Sequence, residues 1–164
     1  MKKLYLLVLI VILSCLGCSA KEPKEEDMSV STSAEKVIEA MMSCPNAELY
    51  NSKAVEMIGD GITEADNEAA KEEQARLKNN WKVLVGDYFE EGTFEDFLGI
   101  TATTFLTEAD MTGEIISVES IELVEKHEYT ELVKVNLKRD DKEEQVTILF
   151  TYDSEGKIKK VEMQ

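Results

Sequence analysis

Apolar positions along this chain change their spacing three times, and each change marks a different kind of structure. Leu4–Leu13 is an unbroken apolar run behind Lys2-Lys3. Ser19–Thr32, SAKEPKEEDMSVST, has no apolar periodicity and carries Pro23, so it reads as a disordered tether. From Ser33 to Gly99 apolar residues recur at helical intervals, and from Gly113 to Gln164 they alternate with period two.

In the helical part, Thr32-Ser33-Ala34-Glu35 has the form of a capping box, with Thr32 as the expected N-cap. Val37, Ile38, Met41 and Cys44 then share one face. Pro45 either stops this helix or opens a short one over Pro45–Tyr50. Val55, Met57 and Ile58 form a brief apolar patch that ends in the turn Gly59-Asp60-Gly61. Thr63-Glu64-Ala65-Asp66 predicts a second helix running to about Val85, with Leu77, Trp81, Leu84 and Tyr88 on its buried face and a break at Gly86. Thr93-Phe94-Glu95-Asp96 opens a short third helix that turns Phe94, Phe97 and Leu98 to the core and ends at Gly99. The Thr-rich stretch Ile100–Thr107 fits a strand or a helical turn.

In the alternating part, Ile116 and Val118 keep one phase while Ile121 and Leu123 keep the other. A bulge near Glu119-Ser120 accounts for the slip. Tyr129, Val133, Val135 and Leu137 alternate next, then Val146, Ile148, Phe150 and Tyr152 after the polar turn Arg139-Asp140-Asp141-Lys142. Asp153-Ser154-Glu155-Gly156 is a hairpin loop before a last strand over Ile158–Met163. The pattern predicts the α+β class: N-terminal helices packed on a curved C-terminal antiparallel β-meander, forming a single domain over residues 33–164.

The 164 residues carry 18 Lys+Arg against 34 Asp+Glu, a net charge of −16. Lys2 and Lys3 lie in the leader, so its removal leaves a chain more acidic still. Phosphate backbones and anionic lipid head groups repel such a surface, which argues against nucleic-acid binding. Three cysteines cannot build a disulfide framework, and Cys44 beside Met41 and Met42 reads as a buried thiol.

The leader's ending is the most specific chemical signal. Ten apolar residues would span about 15 Å as a helix, half of the hydrocarbon core, so Leu4–Leu13 fits a secretory signal peptide better than a membrane span. The stretch closes on Ile12-Leu13-Ser14-Cys15-Leu16-Gly17-Cys18. This resembles the lipobox of bacterial lipoproteins, in which a small residue precedes a cysteine that receives diacylglycerol. Two registers fit. Cys18 follows Gly17 and leaves the longer apolar core, so it is preferred; Cys15 follows Ser14 and is the alternative. The resemblance implies a signal peptide over residues 1–17, a tether over 18–32 and a diacylglyceryl anchor on the outer face of the cytoplasmic membrane. Two acyl chains hold a protein firmly where one binds marginally.

Helices followed by a bulged meander resemble the nuclear transport factor 2-like (cystatin-like) fold, a cone closed by a curved sheet. The whole chain resembles small extracellular lipoproteins of Gram-positive bacteria that pair a lipobox with such a domain. The residues carrying this are Val37–Cys44, Thr93–Gly99 and the hairpin from Tyr152 to Ile158. The resemblance implies a pocket at the mouth of the cone, for which Trp81, Tyr88, Phe94, Phe97, Phe150 and Tyr152 are the candidate lining.

Other chemistry has little to build on. His127, in Glu125-Lys126-His127-Glu128, falls at a predicted turn. No HExxH, P-loop, GxGxxG or GxSxG occurs, and the one CxxC spacing, Cys15 to Cys18, closes the leader without a second pair to complete a zinc site, so no metal or cofactor is expected. Asp60–Lys71 fails as a calcium loop, with Ile62 at the third position, Ala65 where Gly is needed and Lys71 where a bidentate Glu belongs. Carboxylate pairs such as Glu90-Glu91 and Glu95-Asp96 read as solvated surface. The leading expectation is a non-enzymatic binding or accessory module, acting on an envelope protein or a small apolar ligand. The alternatives are a cone-pocket enzyme using carboxylates, which requires a buried acid of raised pKa, and an assembly component of a secretion or conjugation machine, which requires an exposed apolar patch on the sheet.

Overall fold

The computed structural model describes residues 29–56 and 63–164. The leader with Cys15 and Cys18, most of the tether, and Met57 to Gly61 with the turn expected there lie outside the described residues. The described chain is α+β. Helices α1 (Thr32–Met42), α2 (Lys53–Glu56), α3 (Glu64–Val85), α4 (Thr93–Ile100) and α5 (Thr104–Thr112) precede four strands, β1 (Ile116–His127), β2 (Thr130–Arg139), β3 (Lys142–Tyr152) and β4 (Ile158–Met163). The strands form an open antiparallel sheet in the order β1-β2-β3-β4.

α1 begins one residue before the sequence pattern suggests. Ser31, not Thr32, is the N-cap, and its hydroxyl accepts the Ala34 N–H. Both residues can cap, but only Ser31 is also held from outside the helix, as described below. Val37, Ile38, Met41 and Met42 are fully buried. The helix ends at Met42, ahead of Pro45, and residues 47–49 form a turn, not a second helix.

α3 is capped by Thr63, whose hydroxyl accepts the Asp66 N–H. Its buried stripe differs from the expected one. Trp81 and Val85 are 2% and 1% exposed, whereas Leu84 is 46% exposed and Val83 80%. Val83-Leu84-Val85 offers three apolar candidates in a row, and Val85 is the one a full turn beyond Trp81 at i+4. The helix stops at Gly86, where a short 3₁₀ turn (Gly86–Tyr88) redirects the chain. α4 starts from Gly92 in the left-handed region (φ +87°), runs through Gly99 and ends at Ile100. The ambiguous Thr-rich stretch is helical: Ile100 closes α4, residues 101–103 turn, and residues 104–107 open α5.

The phase slip in β1 is a bulge at Glu119, between Val118 and Ser120, and a second one lies at Val124. β2 and β3 pair without interruption from Thr130↔Thr151 to Arg139↔Lys142. Tyr129 lies in the β1–β2 turn and is 44% exposed, so it is not a core-facing strand residue as its parity suggested. Gly156 adopts φ +79° in the last hairpin, the conformation that loop requires.

The core is a single cluster between the helices and one face of the sheet. Val133, Val135, Leu137, Ile148 and Phe150 project from the central strands against Val37, Ile38, Met41, Trp81 and Leu106. The opposite face is mostly polar, with Leu132 and Leu149 paired on it and half-buried. There Asn136 Nδ2 donates to Ser120 Oγ at 2.7 Å and Gln145 Nε2 donates to Asn136 Oδ1 at 2.8 Å. Among the described residues no helix is long and apolar enough to cross a membrane.

Candidate functional site

Two ionic clusters occupy opposite ends of β2, about 26 Å apart at the rise of an extended strand. Both arise because a charged residue falls on the core-facing phase of a strand, or at its end, where it needs partners.

The first centres on Glu131, which shares its parity with Val133 and Val135 and is 3% exposed. Its carboxylate accepts the Ser31 N–H at 3.2 Å and the Tyr152 hydroxyl at 2.9 Å, and Lys126 Nζ lies 2.9 Å away. Ser31 Oγ and Tyr152 Oη are 2.8 Å apart. Lys126 Nζ also donates to the Ser29 carbonyl at 3.3 Å. Glu131 therefore sits at the positive end of α1 and fastens the point where the chain enters the fold. Burial pushes its carboxyl up, but hydrogen bonds from Lys126, Ser31 and Tyr152 outweigh that and hold it below the usual carboxylate range. Tyr152 moves the other way, raised first by burial and then by the Glu131 charge. At neutral pH the pair is an ionised acceptor beside a protonated donor. An open depression of about 480 Å³ passes over Glu131 and Tyr152 and takes in His127, Tyr129 and the Asp153–Gly156 loop.

Most strand acids fall opposite the apolar face; Glu131 on β2 and Glu144 on β3 share the core-facing phase, and of these Glu131 is the buried one. The signal was present as a single acid on the parity Val133-Val135-Leu137, with Tyr152 as the polar-tipped aromatic near it. Glu131 is held ionised, so it is not the buried acid of raised pKa that a proton-donating carboxyl requires.

The second cluster centres on Arg139, whose side chain is 12% exposed. Its guanidinium donates to Glu144 and Glu114 at 2.9 Å and to Glu108 at 3.1 Å. One cation thereby ties α5, the α5–β1 link and β3 together. Burial opposes the charge, but Glu114, Glu108 and Glu144 together raise the Arg139 pKa. Cys44 is 4% exposed and pairs through its main chain with Ile116, N to O and O to N, at 2.9 Å each. Burial pushes its thiol up to about 11, an unreactive setting for a nucleophile.

The six aromatic residues proposed to line a pocket fall into two groups. Trp81 meets Phe97 edge-on at 5.8 Å, and Phe89, which sequence reading missed, bridges Phe94 at 5.7 Å and Phe97 at 4.7 Å. All four are 2–7% exposed, and Trp81 Nε1 donates to the Leu49 carbonyl at 2.9 Å. Tyr88 packs at the edge of the core cluster. On the sheet, Phe150 is fully buried and stacks on Tyr152 at 6.4 Å. Of the six, Tyr152 is the one that reaches the depression over Glu131. His127 is an exposed β1 residue whose Nε2 lies 2.8 Å from Glu125. Among the described residues no group of three or more His, Cys, Asp or Glu side chains is placed to hold a metal ion.

No protein-family model, curated protein or solved structure matches this chain.

Proposed function

We propose that this protein is a lipid-anchored module on the outer face of the cytoplasmic membrane, acylated at Cys18 or, in the other register, Cys15, whose domain binds a partner and carries no catalytic centre. The observation that carries this reading is the cysteine-ended leader followed by a polar tether that runs straight into Ser29–Ser31. There Glu131, Tyr152 and Lys126 grip the chain. A load passed along such a tether meets a fastened end, not a fraying helix.

The binding role is supported by how the polar groups inside the domain are used. Glu131 and Arg139 are each saturated by their own partners, and no buried side-chain polar atom among the described residues lacks one. Groups poised for chemistry ordinarily have free capacity. A nuclear transport factor 2-like cone is the finer fold assignment we propose; a sheet bulged at Glu119 and Val124 with its helices on one face supports it. The sheet's outer face is mostly polar, with the half-buried pair Leu132 and Leu149 as its apolar part, so it offers little area for a sheet-face assembly contact or a small apolar ligand.

Fractionation tests the anchor. The natural chain is expected with the membranes, and a Cys15→Ser, Cys18→Ser double variant in the soluble fraction. A double variant that still sediments with membranes contradicts the proposal.

A further inference from the structure

The helical layer stops short of β1. On the central strands, core-facing residues such as Val133, Val135 and Ile148 are fully buried, whereas Val118, Ile121 and Leu123 of β1 are only half-buried and Val124 is 56% exposed. β1 is also an edge strand. Its outer main chain pairs with Cys44 at Ile116, in an antiparallel bridge, and beyond Ile116 that edge has no main-chain partner among the described residues. Between α1 and this edge lies a groove of about 520 Å³, lined by Val118 and Ile121 together with Glu35, Glu39 and Glu119. Glu39 pairs with Lys36 at 2.8 Å; Glu35 and Glu119 have no basic partner among the described residues.

We propose that this groove is a docking surface for an extended cationic segment of a partner protein, laid antiparallel along β1 in continuation of the Cys44 bridge. It rests on the reading of the domain as a binding module and names the partner's chemistry. Three features fit one kind of occupant. An open strand edge supplies main-chain donors and acceptors to a peptide in extended conformation. The half-buried Val118 and Ile121 can meet every second side chain if apolar. The carboxylates accept the intervening side chains if basic, and they steer a cationic partner while repelling another copy of a chain with net charge −16. The bulges at Glu119 and Val124 confine regular pairing to Ser120–Leu123 between them. They also blunt the edge against indiscriminate strand addition.

The test uses the full chain in non-ionic detergent micelles and a fluorescein-labelled decapeptide alternating Lys and Val, with a Glu–Val decapeptide as comparison. Fluorescence anisotropy is expected to show binding of the Lys–Val peptide alone, weakening as salt is raised. Hydrogen exchange followed by mass spectrometry is expected to slow in residues 117–124. A Glu35→Gln, Glu39→Gln, Glu119→Gln triple variant removes three exposed charges and is expected to weaken binding about tenfold, a few-fold per pair. A charge-matched Glu68→Gln, Glu72→Gln, Glu91→Gln variant is expected to change it less than about twofold. No binding, equal loss in the two variants, or protection outside β1 overturns the proposal. Peptide binding in micelles does not depend on acylation, so its failure and a failed fractionation are separate results.

Discussion

Glu131→Gln isolates the grip on the chain's entry point. The substitution keeps the shape and removes the charge from a carboxylate that is 3% exposed. Three donors lose their anionic acceptor: the Ser31 N–H at 3.2 Å, the Tyr152 hydroxyl at 2.9 Å and Lys126 Nζ at 2.9 Å. Glutamine's amide oxygen can replace part of this, but its NH₂ group then faces donors. A hydrogen bond to a charged group contributes roughly 1.5–3 kcal/mol. The Lys126 share is discounted because that side chain is 35% exposed. The loss at pH 7 is therefore about 2 kcal/mol, less than the sum because the desolvation of the carboxylate is relieved at the same time. The folded carboxyl pKa lies below its unfolded value of about 4.3. Its stabilisation is thus complete above that value and disappears as pH falls through the folded pKa. Urea unfolding, followed by far-UV circular dichroism on both proteins, measures the difference. The gap is expected to be about 2 kcal/mol at pH 7 and to close in acid as Glu131 takes up its proton. Glu73, Glu114, Glu122 and Asp153, whose pKa values are also lowered, titrate in both proteins and cancel. A gap under about 0.5 kcal/mol at pH 7, or one that persists unchanged in acid, would refute the assignment of Glu131 as an ionised clamp.

Trp81→Phe removes the indole donor from the buried Leu49 carbonyl and leaves a void beside Phe97; a loss of about 2 kcal/mol is expected in denaturant unfolding. Arg139→Gln leaves Glu108, Glu114 and Glu144 facing one another without their cation, and a lowered melting temperature corresponding to about 2 kcal/mol is expected at low salt, with partial recovery in high salt. Cys44, with its thiol pushed up to about 11 behind the Ile116 bridge, should resist iodoacetamide at pH 8 in the native protein and react once urea unfolds it, as read by peptide mapping.

Local rules made much of the fold legible. The slip between Val118 and Ile121 located the Glu119 bulge, and uninterrupted alternation through Val146–Tyr152 located β3. Thr63 and Gly86 bounded the long helix because a cap and a break are decided by neighbours in sequence. What tertiary contacts decide was not legible. Ser31 and Thr32 are equivalent capping residues until Glu131, 100 positions later, selects Ser31. Leu84 and Val85 are equally apolar until the packing around Trp81 takes one of them. Glu131 looked like one acid among many, since its partners Ser31, Lys126 and Tyr152 are scattered along the chain. Arg139 looked like part of a polar turn for the same reason. Phe89 escaped notice because it follows a break in the helical pattern, where periodicity carries no information.

The proposed function stands on a diacylated cysteine leading through a short tether into this clamped domain. Mass spectrometry of the mature N-terminal peptide, from protein purified out of membranes, measures that directly. The expected mature chain begins at Cys18, or at Cys15 in the alternative register, with the mass of a diacylglyceryl group on that cysteine. A mature chain that begins elsewhere, or carries both cysteines unmodified, contradicts it.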